Sequence, residues 1–467
     1  MKKGLAGCVQ AGVLGVLLAL PAVQVWALGL LETWQWVVEH DQAYAAARQL
    51  QQTAQPQRDQ AAALWKPMLS VTGSLGIATD EVAMHGAQFS APAFGQSTDV
   101  GFTTSVTNGT ATQWALTAAQ PLYNPRRSTE RQQLFKSADL VDLQWQQDKQ
   151  ALMLRTVERY FDSALADVAV QVYGRQLEAV QKAAEEVMER FRLGDVAVTD
   201  THEAQARAAT LRAQWLTADH AAWLKRQSLA DSTGLPPEAV QARLPVRRVG
   251  SAETLQPLEH WLEIARIDNL QIRSQKMAAE VASRQVDKQR PTAGMSVDVV
   301  AQVGRDRLHG QGDFGSASNT RMQRMIGLQM RMPLYTGGYR SALQAQAQAE
   351  ARQAWLQLEH LREQVMQQVR RAWLGLSIGR ARVGALEAAL KANLSRRDAT
   401  RLGREVGERT TLDLLDAENE VAASRLALLQ GRIEDVTYRL QLTALIGQLD
   451  ESALGALDER LAAEPID

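Results

Sequence analysis

The tripeptide Pro121-Leu122-Tyr123 returns about 212 residues later as Pro333-Leu334-Tyr335, and this repetition is the strongest indication of the fold. Self-similarity at a fixed spacing outranks local signals when a fold is predicted from sequence. Further features return at nearly the same offset and in the same order. Val157 and Phe161 return as Val369 and Trp373, and Gly234 returns as Gly447. Gly194, followed by the acids Asp200 and Glu203, returns as Gly407, followed by the acids Asp413 and Asp416. The chain therefore consists mainly of two copies of one structural unit.

The first 27 residues have the pattern of a secretory signal peptide. Lys2-Lys3 precede an apolar run from Leu5 to Leu20, and a cleavage pattern ends at Ala27. An uncleaved membrane anchor is the alternative, but the run is shorter than the ~20 residues that a spanning helix needs. A lipoprotein-like box ends at Cys8, and we discount lipidation because the apolar run follows that box instead of preceding it.

Composition excludes several classes of function. Cys8 is the only cysteine, so the chain after the leader has no disulfide, thiol nucleophile or cysteine metal site. That part of the chain carries 49 basic and 52 acidic residues, a net charge of −3, which does not suggest nucleic-acid binding.

The repeats divide the chain into five segments. They are the signal peptide (1–27), the first repeat (28–234), a linker (235–257), the second repeat (258–447) and a C-terminal segment (448–467). The linker contains four prolines, among them Pro236-Pro237. We expect the tail beyond Gly447 to end in a weakly structured, acidic segment.

Each repeat begins its central part with two predicted strands. Leu69, Val71, Leu75 and Ile77 alternate with polar or small residues, which is typical of a strand with one apolar face. The predicted strands are Met68–Thr79 and Gly101–Gln120 in the first repeat, and Met295–Val303 and Arg324–Met332 in the second. The loops predicted between them are Asp80–Ser97 and Gly304–Thr320. Each strand can reach the ~10 residues of a transmembrane β-strand, although a soluble hairpin on a helical body fits the same pattern.

A very long helix follows each Pro-Leu-Tyr. Apolar residues recur at steps of three and four from Arg126 to Arg192 and from Tyr339 to Gly403, without an internal proline. At 1.5 Å per residue these helices are roughly 100 Å long. Shorter helical stretches, Leu30–Lys66 and Thr201–Ser232, together match that length, so we expect them to stack end to end beside the long helix and to pack as coiled coils.

Beyond the leader, no window of the sequence is apolar enough for a membrane-spanning helix. An exported chain of this kind is periplasmic, secreted or an outer-membrane β-barrel. Four strands cannot close a barrel, and an open sheet edge cannot remain in lipid. If the strands enter a membrane, the chain must oligomerise, as a dimer with 8 strands or a trimer with 12, and only the larger barrel leaves room for a channel.

The chain resembles the TolC-like outer-membrane efflux proteins over essentially all of its length after the leader. The duplicated Pro-Leu-Tyr and the two inter-helix turns, Arg190–Asp200 and Val406–Ala417, carry the resemblance. It implies an α+β membrane protein built from a duplicated strand-strand-long-helix unit. It further implies a homotrimer whose 12-stranded β-barrel in the outer membrane continues as a periplasmic α-helical barrel, with the linker and the C-terminal segment forming a belt.

The resemblance also implies a passive duct without cofactor or metal. An inner-membrane ABC transporter or RND pump engages such a duct through a periplasmic adaptor. Between these systems, the missing lipobox and the Phe-x-x-Gly-x-x-x-x-Thr-Asp turn that begins at Phe191 favour type I secretion of a protein substrate by an ABC transporter. The alternative is an RND-type multidrug efflux pump. A periplasmic coiled-coil adaptor is a further alternative, but no inner-membrane anchor or lipoyl-like module is visible.

The two turns would then form a periplasmic gate. By position in the motif, Asp413 and Asp416 match two aspartate rings of the family, and Arg409 matches an arginine that braces the closed tip. Thr199 and Asp200 match the partners of that arginine on the neighbouring helix pair. Family members often have a tyrosine where this chain has Arg404, so the chain departs from the family at the second latch. At the strand-to-helix corners, the implied residues are Pro121, Tyr123, Pro333 and Tyr335.

Helix capping explains the same acids without a gate. Asp200-x-x-Glu203 and Thr410-x-x-Asp413 both have the spacing of a capping box, and helix N-termini favour acids. The two roles are compatible, because acids three residues apart lie on one face of a helix.

An enzymatic function has little support in the sequence. Gly312-Asp313-Phe314-Gly315 matches a kinase metal motif, but no phosphate-binding loop accompanies it, and an exposed hairpin loop is the simpler interpretation. The seven histidines are scattered without metal-ligand spacing.

Overall fold

A computed structural model of the chain describes residues 28–93, 95–239, 242–245, 255–290, 294–312 and 315–462. The predicted signal peptide, most of the linker and the Asp313-Phe314 pair lie outside the described residues. Within the described ranges, no helix has the length and apolar character needed to cross a membrane.

Four antiparallel strands form one sheet in the order β1-β2-β3-β4. They are β1 (Met68–Ala91), β2 (Gly95–Tyr123), β3 (Ser296–Gly312) and β4 (Gly315–Arg331). The loops predicted for 80–97 and 304–320 are wrong, because most of these residues extend the strands in register-matched pairs such as His309 with Ser318. The extensions are rich in polar residues and glycine, so the hydrophobic alternation that signals a strand in sequence is weak there.

The part of the sheet nearest the helices has two chemically different faces. Directly paired residues share a face, and one row across all four strands reads Leu69, Ala118, Ala301 and Ile326. The neighbouring row on the opposite face reads Ser70, Thr117, Gln302 and Met325. Leu69 and Ile326 are 67% and 79% exposed, so the single chain leaves its apolar face uncovered.

Ten α-helices make up the remainder of the described structure. They are α1 (Leu30–His40), α2 (Gln42–Gln51), α3 (Ala54–Ala63), α4 (Pro125–Arg192), α5 (Val198–Thr233), α6 (Leu258–Asp268), α7 (Leu270–Gln289), α8 (Tyr339–Glu405), α9 (Thr411–Leu445) and α10 (Glu451–Ala462). The long helices α4 and α8 have 68 and 67 residues, which confirms the predicted pair of rods.

Each rod has shorter helices packed along it, as the sequence predicts. Helices α1, α2, α3 and α5 contact α4, and helices α6, α7 and α9 contact α8. The stretch predicted as helical over Leu30–Lys66 is divided into three. Asp41 is extended and its carboxylate accepts the N–H of Tyr44 as an N-cap, which separates α1 from α2. A turn at Gln52-Thr53 separates α2 from α3. Asn269 caps α7 in the same way, through the N–H of Ile272.

The two strand-to-helix corners differ in detail. In the first repeat Pro121 is still part of β2 and pairs with β3, next to a register irregularity between Pro121 and Tyr123. Helix α4 begins at Pro125, directly after the N-cap residue Asn124. In the second repeat β4 ends before Pro333, and Gly338, with a φ of 83°, precedes the first turn of α8.

The largest side chains of the core meet halfway along the rods. Trp34 from α1, Tyr160 and Phe161 from α4, and Leu454 from α10 are each no more than 2% exposed. The C-terminal segment forms α10 over Glu451–Ala462, and its last residues, 463–467, for which weak structure is expected, lie outside the described residues. Leu454, Leu457 and Leu461 recur at steps of three and four and bury one face of this helix against the core.

Candidate functional site

The two inter-helix turns lie at the same end of the molecule. Helix α4 ends at Arg192 and turns into α5 through Gly194, which has a φ of +85°. Helix α8 ends at Glu405 and turns into α9 through Gly407, with a φ of +81°. A residue with a Cβ would be strained at either position, because positive φ favours glycine. The duplicated glycines thus allow both hairpins to reverse tightly.

Asp413 forms the capping box that the sequence predicts. Its Oδ2 accepts the backbone N–H of Thr410 at 2.9 Å, and the Thr410 hydroxyl accepts the N–H of Asp413 at 3.0 Å. The bond from the Thr410 N–H, together with that from its hydroxyl, lowers the pKa of the Asp413 carboxyl below its ordinary value. The carboxylate therefore remains ionised at neutral pH while it caps α9.

The corresponding capping prediction for Asp200 is wrong. Helix α5 begins at Val198 with Ala197 as its N-cap residue, and no side chain caps it. Because the helix starts one turn earlier than Asp200-x-x-Glu203 requires, Asp200 lies in its first turn. The Thr199 hydroxyl lies 3.4 Å from the Asp200 carboxylate, so these two residues form a small polar group at the tip.

Asp416 is engaged by an arginine that the sequence analysis missed. Arg207 Nη1 and Nη2 lie 2.6 Å and 3.3 Å from the two carboxylate oxygens of Asp416. The hydrogen bond to Asp416 raises the pKa of Arg207. The ion pair joins α5 of the first repeat to α9 of the second. The only local signal for Arg207 was its i,i+4 spacing from Glu203, with which it also pairs at 3.3 Å.

Arg404 makes a second contact between the repeats. Its Nη2 lies 3.6 Å from the carboxylate of Glu186 on α4, and both side chains are more than 40% exposed. Arg409 has no carboxylate within 4.0 Å among the described residues of the chain. A single chain therefore does not bring Arg409 to Thr199 and Asp200, the partners that the resemblance implies for it on a neighbouring helix pair.

An apolar cluster behind these ion pairs holds the hairpins together. Val180 and Ala183 of α4, Leu211 of α5 and Leu415 of α9 are each at most 7% exposed. Leu415 directly precedes Asp416, and Leu211 lies one helical turn beyond Arg207. The buried cluster consequently sets the positions from which the ion pair forms.

The site offers charge and no catalytic group. Among the described residues, no cluster of histidine, cysteine or acidic side chains could hold a metal ion. The arginines and acids at the tip can select ions or hold two hairpins together. The uncovered apolar face of the sheet, at the opposite end of the rods, can contact lipid.

Solved structures with the same fold are channels of bacterial outer membranes. The outer membrane protein VceC from Vibrio cholerae matches with a TM-score of 0.66, 17% identity, and coverage of 90% of this chain and 96% of that chain. The Campylobacter jejuni CmeC outer membrane channel matches with a TM-score of 0.69, 13% identity, and coverage of 92% and 89%. At these identities the match shows the fold alone.

Relatives at higher identity cover most of the chain. The outer membrane protein TolC of Escherichia coli (strain K12) is 27% identical over 363 residues, 76% of this chain and 73% of that protein. The alkaline protease secretion protein AprF of Pseudomonas aeruginosa is 25% identical over 442 residues, 94% and 89%. The proteases secretion protein PrtF of Dickeya chrysanthemi is 24% identical over 460 residues, 98% and 96%.

The family match follows the internal duplication. The model described as "Outer membrane efflux protein" matches residues 35–235 and 261–448, which are nearly the two repeats read from the sequence. These ranges contain the four strands, both rods and both turns of the tip. The chain belongs to the outer membrane efflux protein family.

Proposed function

We propose that three copies of this chain form the outer-membrane exit duct of a tripartite export system. The two-faced sheet carries the proposal: its apolar face is uncovered in one chain, and strands β1 and β4 each leave an edge unpaired. Closing such edges in lipid requires further copies of the sheet. Three copies supply 12 strands for a barrel, and their long rods with the shorter helices packed along them supply a periplasmic cylinder.

The rods of the three chains would together surround a water-filled lumen. The opposite face of the sheet, with Ser70, Thr117 and Gln302, is suited to line the continuation of that lumen through the membrane. Asp306 and Arg321 are directly paired on this face. A polar lumen and an apolar outer surface are the pattern expected of membrane-spanning barrels.

The export system we favour is type I secretion of a protein by an ABC transporter, reached through a periplasmic adaptor. The relatives that cover nearly the whole chain, AprF and PrtF, are named for secretion of proteases. The second candidate is drug efflux by an RND pump. The outer membrane efflux protein BepC of Brucella suis, 31% identical over 35% of this chain, is named for efflux.

At the tip we propose a closed aperture lined by Asp413 and Asp416, with Arg409 reaching Thr199 and Asp200 of a neighbouring hairpin. The capping role of Asp413 does not conflict with this position, because the residue is partly exposed in the single chain. Arg404, in this arrangement, acts through Glu186 instead of a tyrosine latch.

Two measurements test the duct. The protein extracted from outer membranes should have the mass of a trimer, and a stable monomer that inserts into bilayers would refute the oligomer. In cells that lack their own exit duct, the chain should restore secretion of a protease when an ABC transporter and adaptor of this class are supplied. Restored drug resistance without secretion would favour the RND alternative.

Planar-bilayer recordings test the gate. Replacing Asp413 and Asp416 together with asparagine preserves shape and much of the capping ability, so trimers should form while cation selectivity and block by multivalent cations decrease. Arg409→Ser should instead raise the resting conductance. If the double asparagine variant has unchanged ion preference and block, the acids are helix caps only.

A further inference from the structure

We propose that Arg207 is a specificity-determining residue of this aperture, because it pairs directly with Asp416 within each chain and leaves Asp413 as the acid of the two without a direct ion pair. The inference rests on the gate proposed above. Its physical basis is the contact between Arg207 of α5 and Asp416 of α9, two residues that lie 209 positions apart in the sequence. An aperture formed by three chains would then expose three Asp413 carboxylates, while the three Asp416 carboxylates are each paired with an arginine.

The geometry is that of a bidentate ion pair. Each of the two terminal nitrogens of Arg207 faces its own carboxylate oxygen of Asp416, at 2.6 Å and 3.3 Å. A planar guanidinium matches a carboxylate in this arrangement better than a lysine ammonium does. No cationic group lies within 4.0 Å of Asp413 in the described part of the chain, so the two acids differ although they are one helical turn apart.

Burial around the pair fixes its register. Leu415 and Leu211, next to the two charged residues along their helices, belong to the apolar cluster that packs α5 against α9. The Arg207 side chain itself is only 31% exposed, whereas that of Asp416 is 55% exposed. The arginine stem is therefore packed and its charged end points to a carboxylate at the surface. This arrangement loses less side-chain entropy than a pair of two free surface groups.

The consequence for transport is a weaker negative field than the acid count suggests. A carboxylate paired with a guanidinium attracts a second cation less strongly than a free carboxylate does. Multivalent cations should thus block the native duct through Asp413 alone, and anionic segments of a cargo should meet a smaller barrier than six free acids would impose.

The test compares Arg207→Gln with Arg226→Gln in planar bilayers. Arg226 lies on the same helix and pairs with Asp167 of α4 at 3.2 Å, far from the tip, so it is a matched control. Removing Arg207 should uncover three carboxylates at once, raise the cation-to-anion permeability ratio, and strengthen lanthanum-ion block on the order of tenfold. Arg226→Gln should behave like the native protein.

A charge exchange, Arg207→Asp combined with Asp416→Arg, provides the second variant and retains an ion pair between the helices. Native selectivity and native lanthanum block are expected. A shift toward anion selectivity would overturn the inference, because it would mean that position 416 faces the aperture unpaired. Unchanged block in Arg207→Gln trimers would overturn it as well.

The gate and the role of Arg207 can be refuted separately. If asparagine at both 413 and 416 leaves selectivity unchanged, the proposed gate is wrong. If that variant loses selectivity and Arg207→Gln matches the native protein, the gate stands and the role of Arg207 is wrong. Trimer mass and helix content, measured for every variant, establish that each comparison is made on assembled protein.

Discussion

Replacing Tyr160 by phenylalanine should weaken the packing of the first described residues and of the linker against α4, halfway along the rods. The Tyr160 hydroxyl donates to the carbonyl of Leu28 at 2.9 Å and accepts the backbone N–H of Arg243 at 2.9 Å. It thereby ties the start of the described chain and the linker to α4. Phenylalanine preserves the packing of the ring against Phe161 and removes both bonds. At about 0.5–1.5 kcal/mol for each bond, the loss is about 1–3 kcal/mol.

The pH dependence tests the burial of the same hydroxyl group. Burial raises the pKa of Tyr160 to about 12 from its ordinary value of 10.0. The unfolded chain therefore releases this proton first, and the stability that the neutral tyrosine contributes is complete below pH ~10 and lost as the pH rises toward ~12. A shift of two pKa units corresponds to about 3 kcal/mol.

The assay is denaturant unfolding of the detergent-solubilised protein, followed by far-UV circular dichroism at fixed protein concentration, between pH 8 and the alkaline limit. Tyr160→Phe should be less stable at neutral pH and should lose part of the alkaline decrease. Tyr173→Phe, on the same helix and half-buried, is the matched control. If Tyr160→Phe shows the full alkaline decrease, the hydroxyl is not the titrating group and the reasoning is refuted.

Two further substitutions test the corners and the helix packing. Replacing Pro121 and Pro333 together with glycine should reduce the yield of membrane-inserted trimer, because each proline restricts φ where a strand leads to a rod; normal insertion would count against that role. Gly375→Ala should destabilise the α8–α9 hairpin, since a Cβ there would lie 2.7 Å from the Tyr438 ring. Gly384→Ala, on the same helix with open space around it, should instead raise stability by about 0.5–1 kcal/mol. Equal effects of the two alanines in thermal unfolding would contradict the packing argument.

Family, localisation and the absence of enzymatic chemistry could be predicted from sequence. The resemblance to TolC-like outer-membrane efflux proteins is confirmed by the family match over both repeats. That match also confirms the outer membrane as the location and a transport function instead of catalysis. The signals were local and duplicated, so each copy supported the interpretation of the other.

Local periodicity likewise predicted the rods and one cap. The helices predicted from Arg126 and Tyr339 begin within one residue of those positions. Such features depend on side chains a few residues apart, which a sequence displays directly. The Thr410-x-x-Asp413 capping box is confirmed for the same reason.

Tertiary structure decided what local patterns could not. The strands continue through polar hairpins because cross-strand pairing satisfies their backbone groups, and α10 folds because the core buries its leucines. The pairing of Arg207 with Asp416 depends on two helices from different repeats lying side by side. Each partner looks like an ordinary solvated charge in its own stretch of sequence, since the energy of the contact exists only once packing brings the helices together.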